Sequence, residues 1–200
     1  MKNRIFFLIA IILCISNCFS QHKSKVKLVN GVEVYILAEP LREYEILDGT
    51  SKSVQFGSYL AKGIINASIS TRIYKYVKKI KKEFYKKGET LDAVMYVGGK
   101  SMHAIRFISP PTNENNRIGV IKEVKGIPFF VMSMPVDDYK VVSKIGNGLK
   151  LKSFATMGIV NNSIEADLKG FASKVQNKFR KEKISAIIYS EGKKASAIKF

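Results

Sequence analysis

An eight-residue segment that occurs twice is the strongest constraint on how this chain can fold. Residues 63–70 read GIINASIS, and residues 158–165, which lie 95 positions further on, read GIVNNSIE. Other residues match at the same offset, or at an offset of 93 nearer the C-terminus. These pairs are Gly31 and Gly126, Pro40 and Pro135, Tyr44 and Tyr139, Tyr96 and Tyr189, and Phe107 and Phe200. Matches in this order with one short gap indicate a tandem duplication.

The duplication divides the chain into two units, residues 25–107 and 119–200. Residues 108–118 between them contain the run SPPTNENN, which combines prolines with polar turn-forming residues and predicts a linker. A solenoid needs at least three repeats. Two copies therefore predict two like modules that pack with pseudo-two-fold symmetry.

Each unit contains short apolar runs that predict β-strands. The runs VEVYILA at 32–38 and IPFFVMS at 127–133 are rich in β-branched and aromatic residues, and each predicts one buried strand. A second strand is predicted from Tyr44 and from Tyr139, each followed by a hairpin. The remaining strand-like runs lie at the end of each unit, at 91–97, 102–107, 184–190 and 196–200.

One long helix is predicted in the middle of each unit, because the spacing of apolar residues changes there from two to between three and four. Such spacing places the apolar residues on one helical face. In the first unit they are Ile69, Ile73, Tyr76, Val77, Ile80 and Phe84, and in the second Ile164, Leu168, Phe171, Ala172, Val175 and Phe179. The predicted class is α+β, with one helix packed on an antiparallel or mixed sheet in each copy, in the approximate order β-β-β-α-β-β.

The repeated eight-residue segment precedes each predicted helix, which suggests a local role. Ser68 and Ser163 stand immediately before the first periodic residue, where a serine hydroxyl accepts hydrogen bonds from the first helical turn. We therefore predict that both serines are N-caps. The alternative is an anion site at these helix N-termini, where a phosphate or carboxylate would be bound by the exposed amides.

The N-terminus predicts export. Lys2 and Arg4 precede an unbroken apolar run from Ile5 to Ile15, which is too short to span a bilayer and is typical of a secretory signal over residues 1–20. Alternatively, Cys18 is the lipid-modified first residue of a lipoprotein. Either reading predicts a periplasmic or secreted protein, membrane-anchored in the second case, and a mature chain without an internal disulfide.

The chain is strongly basic, with 34 Lys and Arg against 16 Asp and Glu and a net charge of +18. Such an excess draws a protein to anionic surfaces and polymers. The first helix carries basic residues and tyrosines away from its apolar face: Arg72, Lys75, Lys78, Lys79, Lys82, Lys86, Tyr74 and Tyr85. This face predicts an anionic envelope polymer, a membrane surface or an acidic protein as partner, with nucleic acid as a weaker alternative. The alternative without any binding role is that these residues form an ordinary solvated helix face.

No catalytic, cofactor or metal site is predicted. Tyr44 to Leu47, a hairpin, a long helix and then Asp92 to Val94 resemble small α/β modules of bacterial envelope proteins, some labelled heavy-metal binders. That resemblance implies metal binding, but the mature chain offers only His22, in a predicted disordered tail, and His103. No serine has a nucleophile elbow.

The sequence thus favours a binding or assembly component of the cell envelope, with a basic surface for anionic partners and no enzymatic activity. The alternative is a small-ligand binder or enzyme whose site lies between the two repeats. A buried polar pocket at that boundary would favour the alternative, and a flat basic surface would favour the first reading.

Overall fold

A computed structural model describes residues 22–47, 69–97, 102–109, 117–145, 164–189 and 195–200. The first half contains β1 (Lys23–Val29), β2 (Val32–Ile36), β3 (Ala38–Pro40), β4 (Tyr44–Ile46), α1 (Ile69–Lys86), β5 (Ala93–Tyr96) and β6 (His103–Phe107). The second half contains β7 (Ile118–Ile121), β8 (Glu123–Val124), β9 (Ile127–Val131), β10 (Ser133–Pro135), β11 (Lys140–Ile145), α2 (Ile164–Lys178), β12 (Ala186–Tyr189) and β13 (Ala195–Lys199).

The large central sheet is mixed and draws strands from both halves, in the order β4-β6-β5-β2-β9-β12-β13-β11. β2 runs parallel to β5, and β9 runs parallel to β12. The halves join where β2 meets β9 in antiparallel orientation, at the single register pair Ile36 and Val131. The α+β class with a mixed sheet is therefore confirmed.

Both helices pack on one face of this sheet. The described members of the apolar stripe predicted for each helix are buried in the helix-side core, which also contains alternate residues of the central strands, such as Val34, Val94 and Phe129. The described stripe residues are Ile73, Tyr76, Val77, Ile80 and Phe84 of α1, and Phe171, Ala172 and Val175 of α2 together with Phe179 just beyond it. A period between three and four residues therefore correctly predicted which helical face is buried. None of the described helices is long and apolar enough to cross a membrane.

The opposite face of the central sheet is covered by a small antiparallel sheet of order β10-β1-β7-β3. Between the two sheets lies the sheet-side core, which includes Tyr35 and Phe130 of the central sheet and Val26 and Ile121 of the small one. The molecule thus has three layers: helices, central sheet and small sheet.

The runs 32–38 and 127–133, each predicted as one strand, are each broken into two, so that prediction was wrong. The breaks occur at Leu37 and Met132, which adopt positive φ angles of 51° and 53°. Each break turns the chain from the central sheet into the small one. Nothing in an apolar, β-branched run indicates that a leucine or methionine will adopt a conformation that glycine normally supplies.

Strand β1 and its counterpart β7 with β8 were not predicted. β1 is linked to β2 by the two-residue turn Asn30–Gly31, with φ angles of 52° and 76°. β8 is linked to β9 by Lys125–Gly126, with φ angles of 54° and 70°. Two consecutive positive φ angles are typical of a type I′ turn, whose twist matches that of a hairpin.

Hydrogen bonds between the two halves in the small sheet occur in pairs. For each bond that a residue of the first half donates to the second, the equivalent residue of the second half donates one to the first. The amide of Leu41 donates to the carbonyl of Ile118, and the amide of Val136 donates to the carbonyl of Lys23, both at 3.1 Å. The amide of Val26 likewise donates to Arg117 at 3.0 Å, and that of Ile121 to His22 at 2.8 Å. Each second bond is the first with 95 added to one residue number and subtracted from the other.

Several predictions fall outside the described residues. They concern the signal segment 1–20 with Cys18, the caps Ser68 and Ser163, the hairpins that follow β4 and β11, and most of the linker 108–118.

Candidate functional site

The exposed side of α1 carries a narrow stripe of lysines. Lys75, Lys78, Lys82 and Lys86 are all exposed. They are three or four residues apart, so at about 100° per residue they share one side of the helix, opposite the buried stripe. At about 1.5 Å rise per residue the four positions span about 16 Å. We call these four residues the lysine stripe.

The other residues predicted for this face have different environments. Lys79 is half-buried and forms an ion pair with Glu83 at 3.6 Å, and Tyr74 packs against the helix-side core. Tyr85 is 83% exposed. The side chain of Arg72 lies outside the described set. The structure thus divides the described members of the predicted set into three groups. These are the exposed lysine stripe with Tyr85 beside it, the ion-paired Lys79, and the partly buried Tyr74.

The second helix lacks this stripe. The positions 95 residues after the lysine stripe are Gly170, Ser173, Asn177 and Lys181. α2 nevertheless buries its apolar face on the same core as α1. Packing of a helix in this layer therefore does not require the lysines of α1.

Each helix is attached to a β-hairpin by a polar contact at an equivalent position, and α2 has a second one, from Lys125 Nζ to the Ser173 hydroxyl at 2.7 Å. Lys81 Nζ donates to the carbonyl of Asn30 at 2.5 Å, and Gln176 Nε2 donates to the carbonyl of Lys125 at 3.1 Å. Each carbonyl belongs to the first residue of a turn. Lys81, which lies beside the lysine stripe, therefore has a structural contact that an uncharged glutamine makes in the other half.

A buried polar cluster was missed from the sequence. Glu33 stands in the otherwise apolar β2 and is 6% exposed. Arg42 Nη2 donates to both carboxylate oxygens of Glu33 at 2.5 Å, and the hydroxyl of Tyr35 donates to Oε2 at 2.7 Å. The guanidinium also lies 3.5 Å from the ring centroid of Phe107. A glutamate within a run of buried strand residues was the only sequence signal for this cluster.

The cluster shifts the ionisation of its members. Burial raises the pKa of the Tyr35 hydroxyl, and the hydrogen bond to Glu33 and that residue's negative charge raise it further. Burial opposes the charged form of Arg42, but the hydrogen bonds with Glu33 and Tyr35 outweigh it and raise the pKa of the guanidinium. Burial, with a smaller contribution from Glu39, also raises the pKa of Tyr44.

Among the described residues, this cluster occurs in the first half and not in the second. Tyr35 and Phe107 make an edge-to-face contact at 6.4 Å, and Phe130 and Phe200 make the same contact at 6.3 Å. The positions equivalent to Glu33 and Arg42, however, are occupied by Pro128 and Asp137. Because the carboxylate is enclosed by its two donors, the arrangement resembles a structural ion pair more than a reactive centre.

The candidate metal and catalytic residues do not come together. Within the described ranges no three His, Cys, Asp or Glu side chains form a group that could hold a metal ion. His103 is half-buried in β6, opposite Met95. The prediction that His22 lies in a disordered tail was wrong. Its ring stacks on that of Phe200, with the ring centroids 5.0 Å apart. That contact depends on Phe200, which sequence spacing could not connect with residue 22.

Comparison with known proteins adds no identification. No protein-family model, curated protein or solved structure matches the chain.

Proposed function

We propose that this protein is an exported component of the cell envelope that binds an anionic polymer through the lysine stripe of α1. The observation that carries this proposal is the contrast between the two helices. Both bury an apolar stripe on one core, but α1 has lysine at all four exposed positions, whereas the second half has lysine at one of the four equivalent positions, Lys181. Charges that the fold does not require are available for binding.

The spacing of the stripe suits a linear polyanion. Successive lysines lie one turn apart, so each ammonium group can meet a different phosphate, sulfate or carboxylate along an extended chain. Specific binding of single-stranded nucleic acid would also need aromatic side chains on which bases stack. Tyr74 packs against the core, and Tyr85 alone of the two predicted tyrosines is highly exposed. This favours a polyanion recognised by charge over one recognised by its bases.

We also propose that the two halves arose by tandem duplication and are related by a pseudo-two-fold axis. The support is the repeat of strand bounds and positive φ positions at offsets of 95 and 93, and the paired hydrogen bonds between the two halves within the small sheet. After duplication one helix could acquire a binding face while the other preserved the packing.

The alternative of a ligand site between the halves receives less support. Where β2 meets β9, the residues Tyr35, Ile36, Phe130 and Val131 are all buried. These side chains are apolar except for the Tyr35 hydroxyl, which donates to Glu33. In the small sheet, where β1 joins β7 and β10, the buried polar residues of the boundary are Ser24, whose hydroxyl donates to the carbonyl of Gly119 at 3.4 Å, and Ser133. Export itself rests on residues 1–20, with lipidation of Cys18 as the alternative to simple cleavage.

The test compares two triple variants of equal charge. Lys75→Gln, Lys78→Gln and Lys82→Gln change the lysine stripe, whereas Lys140→Gln, Lys144→Gln and Lys199→Gln remove three exposed lysines from the edge of the central sheet. The measurement is the salt concentration at which each full-length protein elutes from immobilised heparin. We expect the stripe variant to elute at clearly lower salt and the edge variant to elute near the wild type.

Equal shifts in both variants would show that binding follows net charge alone, and the proposal would be wrong. It would also be wrong if neither variant moved. Equal thermal melting of the two variants and the wild type is the control for folding, because exposed substitutions usually change stability by less than about 0.5 kcal/mol.

A further inference from the structure

The outer face of the small sheet is unusually apolar for a surface. Along β10, β1, β7 and β3, inward residues such as Ser24, Gly119 and Pro135 are buried, so the alternate residues point outward. The outward residues form two rows across the four strands. One row is Val136, Lys23, Val120 and Glu39, and the other is Met134, Lys25, Ile118 and Leu41. We call these eight residues the outer sheet face.

Five of the eight are apolar, and they are not covered by described residues. Leu41 is 52%, Val136 51% and Met134 45% exposed, and Ile118 and Val120 are half-buried. Apolar residues gathered on one exposed face mark a surface that contacts another molecule or a membrane. Lys23 and Lys25 lie on β1, in the middle of the face, and both are exposed.

The charged residues of this face are Lys23 and Lys25 in its middle and Glu39 on the outermost strand β3, which leaves one net positive charge. The two central lysines distinguish between the possible occupants. If a second copy packed on this face through two-fold symmetry, Lys23 and Lys25 would be brought close to their own copies, and like charges would be desolvated together. An anionic bilayer offers what the face requires: headgroups for the two lysines and an acyl boundary for the apolar side chains.

The chain also enters the molecule at this face. β1 begins at Lys23, directly after His22. Signal cleavage removes the apolar run Ile5 to Ile15, so the attachment that remains in the exported protein is a lipid on Cys18. Four residue steps of extended chain, from Cys18 to His22, reach at most about 14 Å. Any membrane attachment at these residues therefore holds the small sheet, rather than the helices, next to the bilayer.

We propose that the outer sheet face lies on the surface of an anionic membrane, with Leu41, Met134 and Val136 in the interface and Lys23 and Lys25 against lipid headgroups. The lysine stripe then points away from that membrane, because the helices and the outer sheet face belong to opposite layers of the molecule. The proposal does not depend on polymer binding by α1.

The test uses tryptophan as a position marker, because the natural chain contains none. Leu41→Trp places the probe on the outer sheet face, and Tyr85→Trp places it beside the lysine stripe; both positions are exposed. Each full-length variant is mixed with vesicles of phosphatidylcholine and phosphatidylglycerol whose acyl chains are brominated, and quenching of tryptophan fluorescence is recorded. We expect strong quenching of Trp at 41 and little at 85.

A second measurement separates membrane binding by the outer sheet face from membrane binding by the signal segment 1–20, which all the full-length variants share. In the Leu41→Trp protein, adding Lys23→Gln and Lys25→Gln should weaken vesicle binding about 25-fold, since each lysine near an anionic surface contributes about a factor of five. Vesicles of phosphatidylcholine alone should give the same weak binding with and without these two changes.

Other outcomes would overturn the proposal. Equal quenching at the two positions, stronger quenching at 85, or none at either would show that this face does not rest on the bilayer. If quenching at 41 did not change with the two lysine substitutions, membrane contact would be due to the signal segment 1–20 alone. A shift of Trp emission at 41 with protein concentration, before vesicles are added, would instead indicate a second copy on this face.

Discussion

At the residue scale, one buried position shows how the two halves solve the same packing problem differently. Tyr35 and Phe130 occupy equivalent places between the two sheets, each with an edge-to-face aromatic neighbour. Tyr35 carries a hydroxyl that must have a partner when buried, and Glu33 accepts its hydrogen bond. Glu33 in turn needs Arg42. The hydroxyl oxygen that distinguishes Tyr35 from Phe130 is therefore bonded to a buried ion pair, Glu33 with Arg42, which has no equivalent at positions 128 and 137.

Replacement Tyr35→Phe should separate the contribution of the hydrogen bond from that of the ionisation. At neutral pH we expect a loss of about 1 kcal/mol in the free energy of unfolding, because the bond to Glu33 is removed. A tyrosine in the unfolded chain ionises near pH 10. Burial and Glu33 raise the pKa of Tyr35 in the folded state, so above that pH the unfolded state loses a proton that the folded state retains, and wild-type stability falls as pH rises.

The variant lacks this alkaline loss, so the stability difference between the two proteins should shrink above about pH 10 and reverse by about pH 11. Urea unfolding of both proteins from neutral pH to about pH 11 measures this difference in the free energy of unfolding. Tyr85→Phe, at a position that is 83% exposed, controls for the loss of one tyrosine. A difference that stays constant to alkaline pH would contradict the explanation.

At the scale of elements, the β-hairpins show which local signals were sufficient and which were not. Asn30–Gly31 is the residue pair preferred by a type I′ turn, whereas the second hairpin has Lys125 at the equivalent place with a φ of 54°. Lysine rarely adopts this conformation, and asparagine tolerates it. The second turn therefore forms because the flanking strands and Gln176 hold it, since the residue at 125 does not favour it.

Exchange of the two turn residues tests this interpretation. We expect Lys125→Asn to raise the free energy of unfolding by about 0.5–1 kcal/mol and Asn30→Lys to lower it by a similar amount. Both side chains are exposed, so packing hardly changes. Lys125→Asn also removes the exposed hydrogen bond from Lys125 Nζ to the Ser173 hydroxyl, which places the expected gain at the lower end of this range. Urea unfolding of the two variants provides the measurement, and effects of the same sign would argue against backbone strain as the cause.

At the scale of the whole molecule, the two halves are joined through both sheets. The central sheet is continuous from β2 to β9, and each half supplies two of the four strands in the small sheet. Loss of one half would leave inter-strand hydrogen-bonding groups of the other unpaired and would expose the sheet-side core. The two halves should therefore behave as one folding unit.

We predict a single cooperative unfolding transition for the full chain. Leu41→Trp reports on the small sheet in the first half, and Val141→Trp reports on exposed β11 in the second. The urea midpoints from the two probes should coincide within error. Two separated transitions would mean that the halves unfold independently and that the shared sheets contribute little.

The sequence by itself determined the elements whose signal is local or repeated. The spacing of Ile73, Val77 and Ile80 defines the buried helical face regardless of what covers it, and the lysine stripe follows from the same period. The repeat at 95 residues is itself an observation on the sequence, and the tandem duplication inferred from it stays a prediction. These signals need no knowledge of distant contacts.

Only the tertiary structure decided where the strands break and which faces remain uncovered. Leu37 and Met132 end strands although their side chains favour continuation, because pairing with the other half draws the chain into the small sheet. The outer sheet face is apolar in sequence, which alone would predict burial, yet it lies at the surface. Strand pairing brings together residues about a hundred positions apart, and no local period encodes that choice.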